Sequence, residues 1–530
     1  MDPDKRAKLV AMETDAMETD ETPPMPPPAP VPPAQPLPPR ALAYLDGPTD
    51  EHRVAGLLLL AAADAAALQA HASAIAAKLD ASNFLARLLK TAGDDGAALT
   101  GAQRAGLEVA RALAATSADV RYALANGLVA ACGACLLSVA DARTMATRGD
   151  GVTGGSADDA AASVLCLDAL VRGDPRRLVQ SGVDGAPLLI FARDDAEVIW
   201  PAATRLLKCC CAGGGLDDQS VQALTILATT VRAKADTYAR EAPLVECLAL
   251  AVAARAGAAR TSSTAAHARK AARDVVEEAV PRLLRRGGAG EAQRDAALGA
   301  AAVCAAGARG AAWLWGKDGA VVRVVAGCAA AEARLALDEA LALATSPATI
   351  ASQGRAERCL RMAPLCLGVL ERVLRLLLGD DEADGSDDEG EDAPTPQPDA
   401  ILGCRDAVRD AADAALGFCG EARLQQQAAA RGLPEAPAPA ALDLLLTLCR
   451  PALSLLGLLA AELDKDEPDA GDGDGLALHA RLADLQPFVD DLVAADRGRA
   501  APPAAPAGDE DSAASSEEEG DSDGEVDYGT

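Results

Sequence analysis

The sequence predicts an all-α fold, organised as a right-handed α-solenoid with disordered termini and an acidic internal loop. Three observations predict it. Hydrophobic residues make up 50% of the chain and aromatic residues only 2%, most of the apolar content being alanine; Ala is the best helix former, and strand-favouring residues are scarce. Apolar residues recur at helical spacing, as Val164, Leu167, Leu170 and Val171 do at i, i+3, i+6 and i+7. Gly, Asp and Pro punctuate such segments from about residue 41 to 378. At 530 residues the chain exceeds one ordinary compact core, so two domains or an elongated repeat array are expected. The skew towards Ala, Gly, Arg, Pro and Asp is what GC-rich codon usage produces, so alanine richness is no functional signal.

Residues 1–40 form a first segment, with a tandem "AMETD" at 11–20 and "PPMPPPAPVPPAQPLPP" at 23–39. Neither has an apolar face to bury, and the second favours extended polyproline II, as a spacer or as a ligand for a proline-recognising domain. Helices follow over 41–378. Within them Tyr122–Ala140 carries no charge over 19 residues, the length of a membrane span; Asn126-Gly127 instead suggests a buried helix pair broken at that dipeptide, and no transmembrane span is expected. Residues 147–159 read as a surface loop. Leu370, Leu374 and Leu377 form a stripe near the end of the array. Residues 379–400 are an acidic, Pro-punctuated loop, 401–495 resume as further helices, and 496–530 form an acidic disordered tail.

The formal net charge is −30. Nine acids without a base occupy 380–392 and ten without a base occupy 509–527, so most of the excess sits in two runs. Such a chain repels a phosphate backbone, and nucleic acid is not an expected partner. The runs place Ser386, Ser515, Ser516 and Ser522 three residues ahead of an acid, the pattern that acidophilic kinases read through basic pockets; the alternative is a solubilising tail. The 14 cysteines lie in apolar helical stretches, and the amino-terminal "MDPDKRAKLVAMETD" lacks the apolar core of a signal peptide. Free, mostly buried thiols in a reducing, cytoplasmic compartment are expected.

No catalytic constellation emerges. Cys132-Gly-Ala-Cys135 has the spacing of a zinc or redox pair, but no histidine lies near another Cys-x-x-Cys to complete a site. Cys209, Cys210 and Cys211 are consecutive, and consecutive helical side chains diverge. His52, His71, His267 and His479 stand apart from any nucleophile-like Ser or Cys. Gly316-Lys317 is followed by Asp318 rather than Ser or Thr, which excludes a phosphate loop. Trp313 and Trp315 are expected to fix a helix-to-helix joint, although their two-residue offset puts the rings on different sides of a helix and both need not be buried; the alternative is an exposed aromatic anchor for a partner. No cofactor and no enzymatic activity are expected.

The stretch "LVQSGVDGAPLLIFARDDAEVIWPAATRLLKCC", 178–210, resembles an armadillo repeat: a helix ending at Ser-Gly, a turn, a helix opened by Pro187, an acidic turn and a second apolar helix. A weaker copy runs through 121–142. The fold expected is therefore armadillo/HEAT-like. Four further stretches, "HRVAGLLLL" at 52–60, "NFLARLLK" at 83–90, "EAQRDAALGAAAVCAAGARGAAWLW" at 291–315 and "CAAAEARLALDEA" at 328–340, resemble the neurochondrin family in sequence and order. The resemblance rests on Arg53, Gln293, Arg294, Asp295, Gly310, Trp313, Glu332, Arg334 and Leu337. Family members are cytoplasmic helical proteins implicated in neurite outgrowth, in restraining calmodulin-dependent kinase phosphorylation, and in binding receptors and trafficking or assembly factors. The resemblance implies a non-enzymatic scaffold or adaptor that binds other proteins. The alternative expectation is a chaperone- or transport-receptor-like solenoid holding basic clients through its acidic segments.

Overall fold

A computed structural model describes residues 37–91, 99–148, 157–193, 198–233, 238–254, 263–286, 290–307, 310–316, 319–345, 350–379, 397–433, 436–463 and 473–500. Among them there are 21 helices and no strand. The chain forms two compact units that divide between Leu206 and Leu207.

The amino-terminal unit contains α1 (Pro39–Leu45), α2 (Asp50–Ala61), α3 (Ala65–Ala70), α4 (Ala72–Ser82), α5 (Phe84–Lys90), α6 (Gly101–Ala114), α7 (Ala118–Arg148), α8 (Ala157–Val171), α9 (Arg176–Gln180) and α10 (Ala186–Ala192). Helix α11 (Ile199–Ala212) carries the boundary. Helix α6 shows how local chemistry sets an end. Thr100 Oγ1 accepts from the Gln103 N–H at 3.2 Å, and Gln103 Oε1 accepts from the Thr100 N–H at 2.8 Å, a capping box that satisfies otherwise orphaned donors. Gln103 Nε2 also donates to the Leu88 and Thr91 carbonyls, tying α6 to the end of α5.

Val164, Leu167, Leu170 and Val171 are all buried on α8, as their spacing predicts. Within 178–210 the described helices follow the expected order, while residues 194–197 of the acidic turn lie outside the described residues. Helix α9 ends at Ser181, Gly182 takes a positive φ of 68°, Pro187 stands in the first turn of α10, and α11 follows. Two expectations are corrected. Helix α7 runs unbroken through Asn126-Gly127, because Leu124, Ala125, Leu128 and Val129 on either side are buried while Asn126 and Gly127 face outward; packing outweighs the roughly 1 kcal/mol cost of an interior glycine. The loop predicted at 147–159 is helical at both ends. Asp158 and Asp159 occupy the first turn of α8, where their charge complements the helix dipole.

The carboxy-terminal unit contains α12 (Asp218–Ala233), α13 (Tyr238–Ala254), α14 (Ser263–Arg285), α15 (Glu291–Ala306), α16 (Gly310–Trp315), α17 (Ala320–Ala344), α18 (Ile350–Leu378), α19 (Pro398–Ala430), α20 (Pro439–Leu463) and α21 (Gly473–Ala500). Helix α13 packs on α12, α14 and α15, α15 on α18, and α17 on both α18 and α19. Helices α19 and α20 pack against α17 and α18, so the segment after the acidic run belongs to the same body. It begins at Pro398, three residues before the expected start. The interfaces are built from small side chains: Ala326, Ala329, Ala333, Ala336 and Ala340 of α17 are all buried, which lets backbones approach closely. Leu370 and Leu374 are buried on α18 and Leu377 is half-buried.

Two described helices are long and apolar enough to cross a membrane by length and composition, Ala118–Met145 of α7 and Pro439–Ala461 of α20. The sequence reading singled out only the first. In the fold α7 packs against α4, α5 and α8, and α20 against α18 and α19. The acidic runs at 380–392 and 509–527, residues 1–36, and Ser386, Ser515, Ser516 and Ser522 lie outside the described residues.

Candidate functional site

The residues that carry the sequence resemblance fall into two groups, and one of them forms a buried ion network in the carboxy-terminal unit. Helix α15 starts at Gly290, whose N–H donates to Gln293 Oε1 at 2.8 Å. Gln293 thereby fixes the first turn, and the next two residues face neighbouring helices. Arg294 Nε donates to Glu332 Oε1 of α17 at 2.8 Å. Asp295 accepts from Arg358 of α18 through both oxygens, Nε to Oδ2 at 3.1 Å and Nη2 to Oδ1 at 2.8 Å, and from Arg361 Nη2 at 2.8 Å. Arg358 Nη2 also donates to Glu332 Oε2 at 2.8 Å, and its Nη1 lies 3.5 Å from Glu291. Arg358 thus holds α15 and α17 at once.

Burial sets the character of the site. The Asp295 and Glu332 side chains are 7% and 6% exposed and Arg358 is 11% exposed, whereas Arg294 and Arg361 are half-exposed. Burial alone would lower the Arg358 pKa, but its hydrogen bonds to Asp295 and Glu332 carry it above the ordinary guanidinium value. A further member is Glu246 of α13, ion-paired with Lys208 of α11. Burial raises its pKa above the ordinary carboxylate value, and the Lys208 ammonium opposes that rise. Its carboxylate occupies a notch left by the missing side chain of Gly299, where a Cβ would overlap Oε1 and stand 2.9 Å from Cδ. Every oxygen of Asp295 and Glu332 accepts from a guanidinium. Carboxylates committed in this way hold charge and position; they are poorly placed to take a proton from a substrate.

The remaining predicted residues lie outside this network. Trp313 is buried on α16, and its indole N–H donates to the Glu277 carbonyl of α14 at 3.4 Å. Trp315 is half-buried, so the two rings divide as expected. A Cβ on Gly310 would overlap the Ala305 carbonyl oxygen, which is why the α15–α16 joint needs glycine. Leu337 is buried in α17. Arg334 is exposed and lies 3.8 Å from Asp338. Arg53, in the amino-terminal unit, pairs with Asp50 at 2.8 Å. Lys317 and Asp318 lie outside the described residues. Arg358, Arg361, Lys208 and Glu246 are the members that sequence reasoning missed. The only signal available was the i, i+3 spacing of Arg358 and Arg361 on one helix.

The cysteines resolve into buried contacts. Cys132 Sγ lies 3.8 Å from Cys166 Sγ of α8, whereas Cys135 Sγ donates to the Leu89 carbonyl of α5 at 3.1 Å. The two thiols of the Cys-x-x-Cys spacing therefore engage different helices. The hydrogen bond with Cys166 and burial push the Cys132 thiol well up, and burial pushes Cys135 up to about 12. Cys210 and Cys211 are buried and Cys209 is half-buried.

Compared with protein-family models and with curated proteins, the chain shows no match.

Proposed function

We propose that this protein is a non-enzymatic scaffold of the armadillo-like, neurochondrin type, cytoplasmic and without a membrane span, that binds other proteins through its folded helices. One observation carries the reading: the same device recurs along the chain. In the amino-terminal unit Asp159 of α8 accepts from Arg104 of α6, and Asp168 accepts from Arg205 Nε and Nη2 at 3.0 and 2.8 Å. In the carboxy-terminal unit Glu246 of α13 pairs with Lys208, Glu241 of α13 with Arg282 of α14, and Asp295 of α15 with Arg358 of α18. Each time a buried acid is clamped by a base from another helix. A repeated clamp suits an array in which each helical unit buries its face only against its neighbours, and such arrays bind partners along an extended surface. The commitment of the carboxylates to guanidinium groups supports a non-enzymatic reading.

Salt tests it. Partners captured from native lysate by the full-length protein are washed at about 0.1 M and about 1 M salt, where the Debye length falls from about 10 Å to about 3 Å. The scaffold reading expects the partner set to be retained in both washes. A set that disappears at high salt and consists of basic proteins would overturn it in favour of client holding by the acidic segments.

A further inference from the structure

Helix α21 is held through one face. It rests on α19 and α20, which also pack against each other. Its buried side chains are Leu485, Phe488 and Leu492, at i, i+3 and i+7, a single apolar stripe. Gln486, Asp490 and Asp491 beside that stripe are exposed, and Val493 is 44% exposed. Two polar contacts complete the seat. Arg481 Nη1 lies 3.5 Å from Asp413 of α19, both side chains being more than half-exposed, and an exposed pair of that kind holds little. Arg423 of α19 donates through Nη1 to the Asp484 carbonyl. That carbonyl stands in the turn before Pro487, and proline crowds the preceding turn and brings no N–H to the helix ladder. The Arg423 contact is incomplete: its Nε is buried and has no hydrogen-bond partner among the described residues. A buried donor without an acceptor costs stability.

We propose that α21 is a displaceable strap over a helix-binding groove between α19 and α20, and that the groove's other occupant is an amphipathic, acidic helix of a partner protein. This rests on the scaffold reading and deepens it by naming one binding surface and its regulation. The strap itself shows what the groove accepts. A helix with aliphatic, aromatic and aliphatic side chains at i, i+3 and i+7 carries the anchor pattern of helix-in-groove recognition. Arg423 supplies the chemistry by which a partner outdoes the strap. A carboxylate in the partner's turn beside Arg423 takes Nε and a terminal nitrogen together, in the bidentate geometry that a single backbone carbonyl cannot fill. The strap belongs to the same chain and competes at the effective concentration that tethering supplies. Helices that offer only the apolar stripe are therefore kept out, and one that adds the carboxylate displaces the strap.

Two measurements on the full-length protein test it. In hydrogen exchange of the parent chain, amides of residues 485–494 are expected to exchange at least about 100-fold faster than those of 404–422, because α21 opens while α19 stays folded. Equal protection of the two segments would mean that α21 leaves only with global unfolding, and would overturn the proposal. The second measurement uses a fluorescein-labelled peptide of residues 480–494 as probe and the double variant Leu485→Asp, Phe488→Asp, which releases the strap. The peptide is expected to bind this variant at least about tenfold more tightly than the parent, and to lose about tenfold in affinity when Arg423→Met is added. Peptides with Ala483→Glu or Pro487→Glu, which place a carboxylate in the turn beside Arg423, are expected to bind more tightly still, and only while Arg423 is present. Equal peptide affinity for the parent and for a double variant whose urea midpoint shows the rest of the unit folded would overturn the strap. No gain from either carboxylate would overturn the acidic partner. None of these readouts uses a partner from lysate, so the strap can fail while the scaffold reading stands.

Discussion

Arg358 is the residue on which three helices converge. Removing one partner of a buried, hydrogen-bonded ion pair leaves the others uncompensated and costs roughly 3–5 kcal/mol. Arg358→Met is therefore expected to lower unfolding stability by about that amount in urea titrations, while Arg361→Met, at a half-exposed side chain, costs about 1 kcal/mol or less. Equal losses would contradict the burial argument. Glu246 makes the pH-dependent prediction. Its folded-state pKa is raised by burial, so the stability this group contributes is full below the unfolded carboxylate value and is lost as pH rises through the raised one. Glu246→Gln does not titrate, and its stability relative to the parent protein should increase as pH rises above the unfolded carboxylate value of about 4. A relative stability that is flat or falls over that range would show the Lys208 pairing dominating burial. Arg294, Asp295 and Glu332 were legible in the sequence as part of an ordered resemblance. Arg358 was not, because its main partner lies 63 residues away and nothing local distinguishes a clamped arginine from a solvated one.

At the scale of elements, helical identity was legible and continuity was not. The apolar stripe of α8 and the Pro187 start of α10 follow from spacing and turn chemistry alone. Asn126-Gly127 misled because local propensity favours a break there, whereas the flanking buried residues of α7 require none. Gly127 has room for a methyl group, its nearest neighbour being Asn83 Oδ1 at 3.8 Å from an added Cβ. Gly127→Ala is accordingly expected to stabilise the protein by about 0.5–1 kcal/mol, measured as an increase in the urea midpoint; destabilisation would place a functional bend at that position. Trp313 predicts the opposite kind of change. Its ring is buried and its indole N–H reaches the α14 backbone, so Trp313→Ala should cost about 3–5 kcal/mol and lower the Tm sharply, and an unchanged melting curve would mean that the joint is held by backbone packing around Gly310. Helix α20 escaped a reading based on uncharged runs because Asp443 and Arg450 interrupt it, although its mean hydropathy equals that of α7.

For the whole molecule, composition announced helices throughout, and the described residues contain helices without strands. The division between Leu206 and Leu207 has no mark in the sequence, since it falls inside α11 rather than at a composition change. The acidic run that does mark the sequence separates helices that pack in one body. Charge patterning reports composition alone, whereas unit boundaries depend on which apolar faces find each other. The central claim is that partner binding belongs to the folded helices and not to the charged ends. Affinity purification with mass spectrometry from native lysate, comparing the full-length protein with a chain of residues 37–500, tests it most directly. The account predicts one stable partner set common to both. Partners that vanish when the two ends are removed would contradict it and move the binding function to those ends.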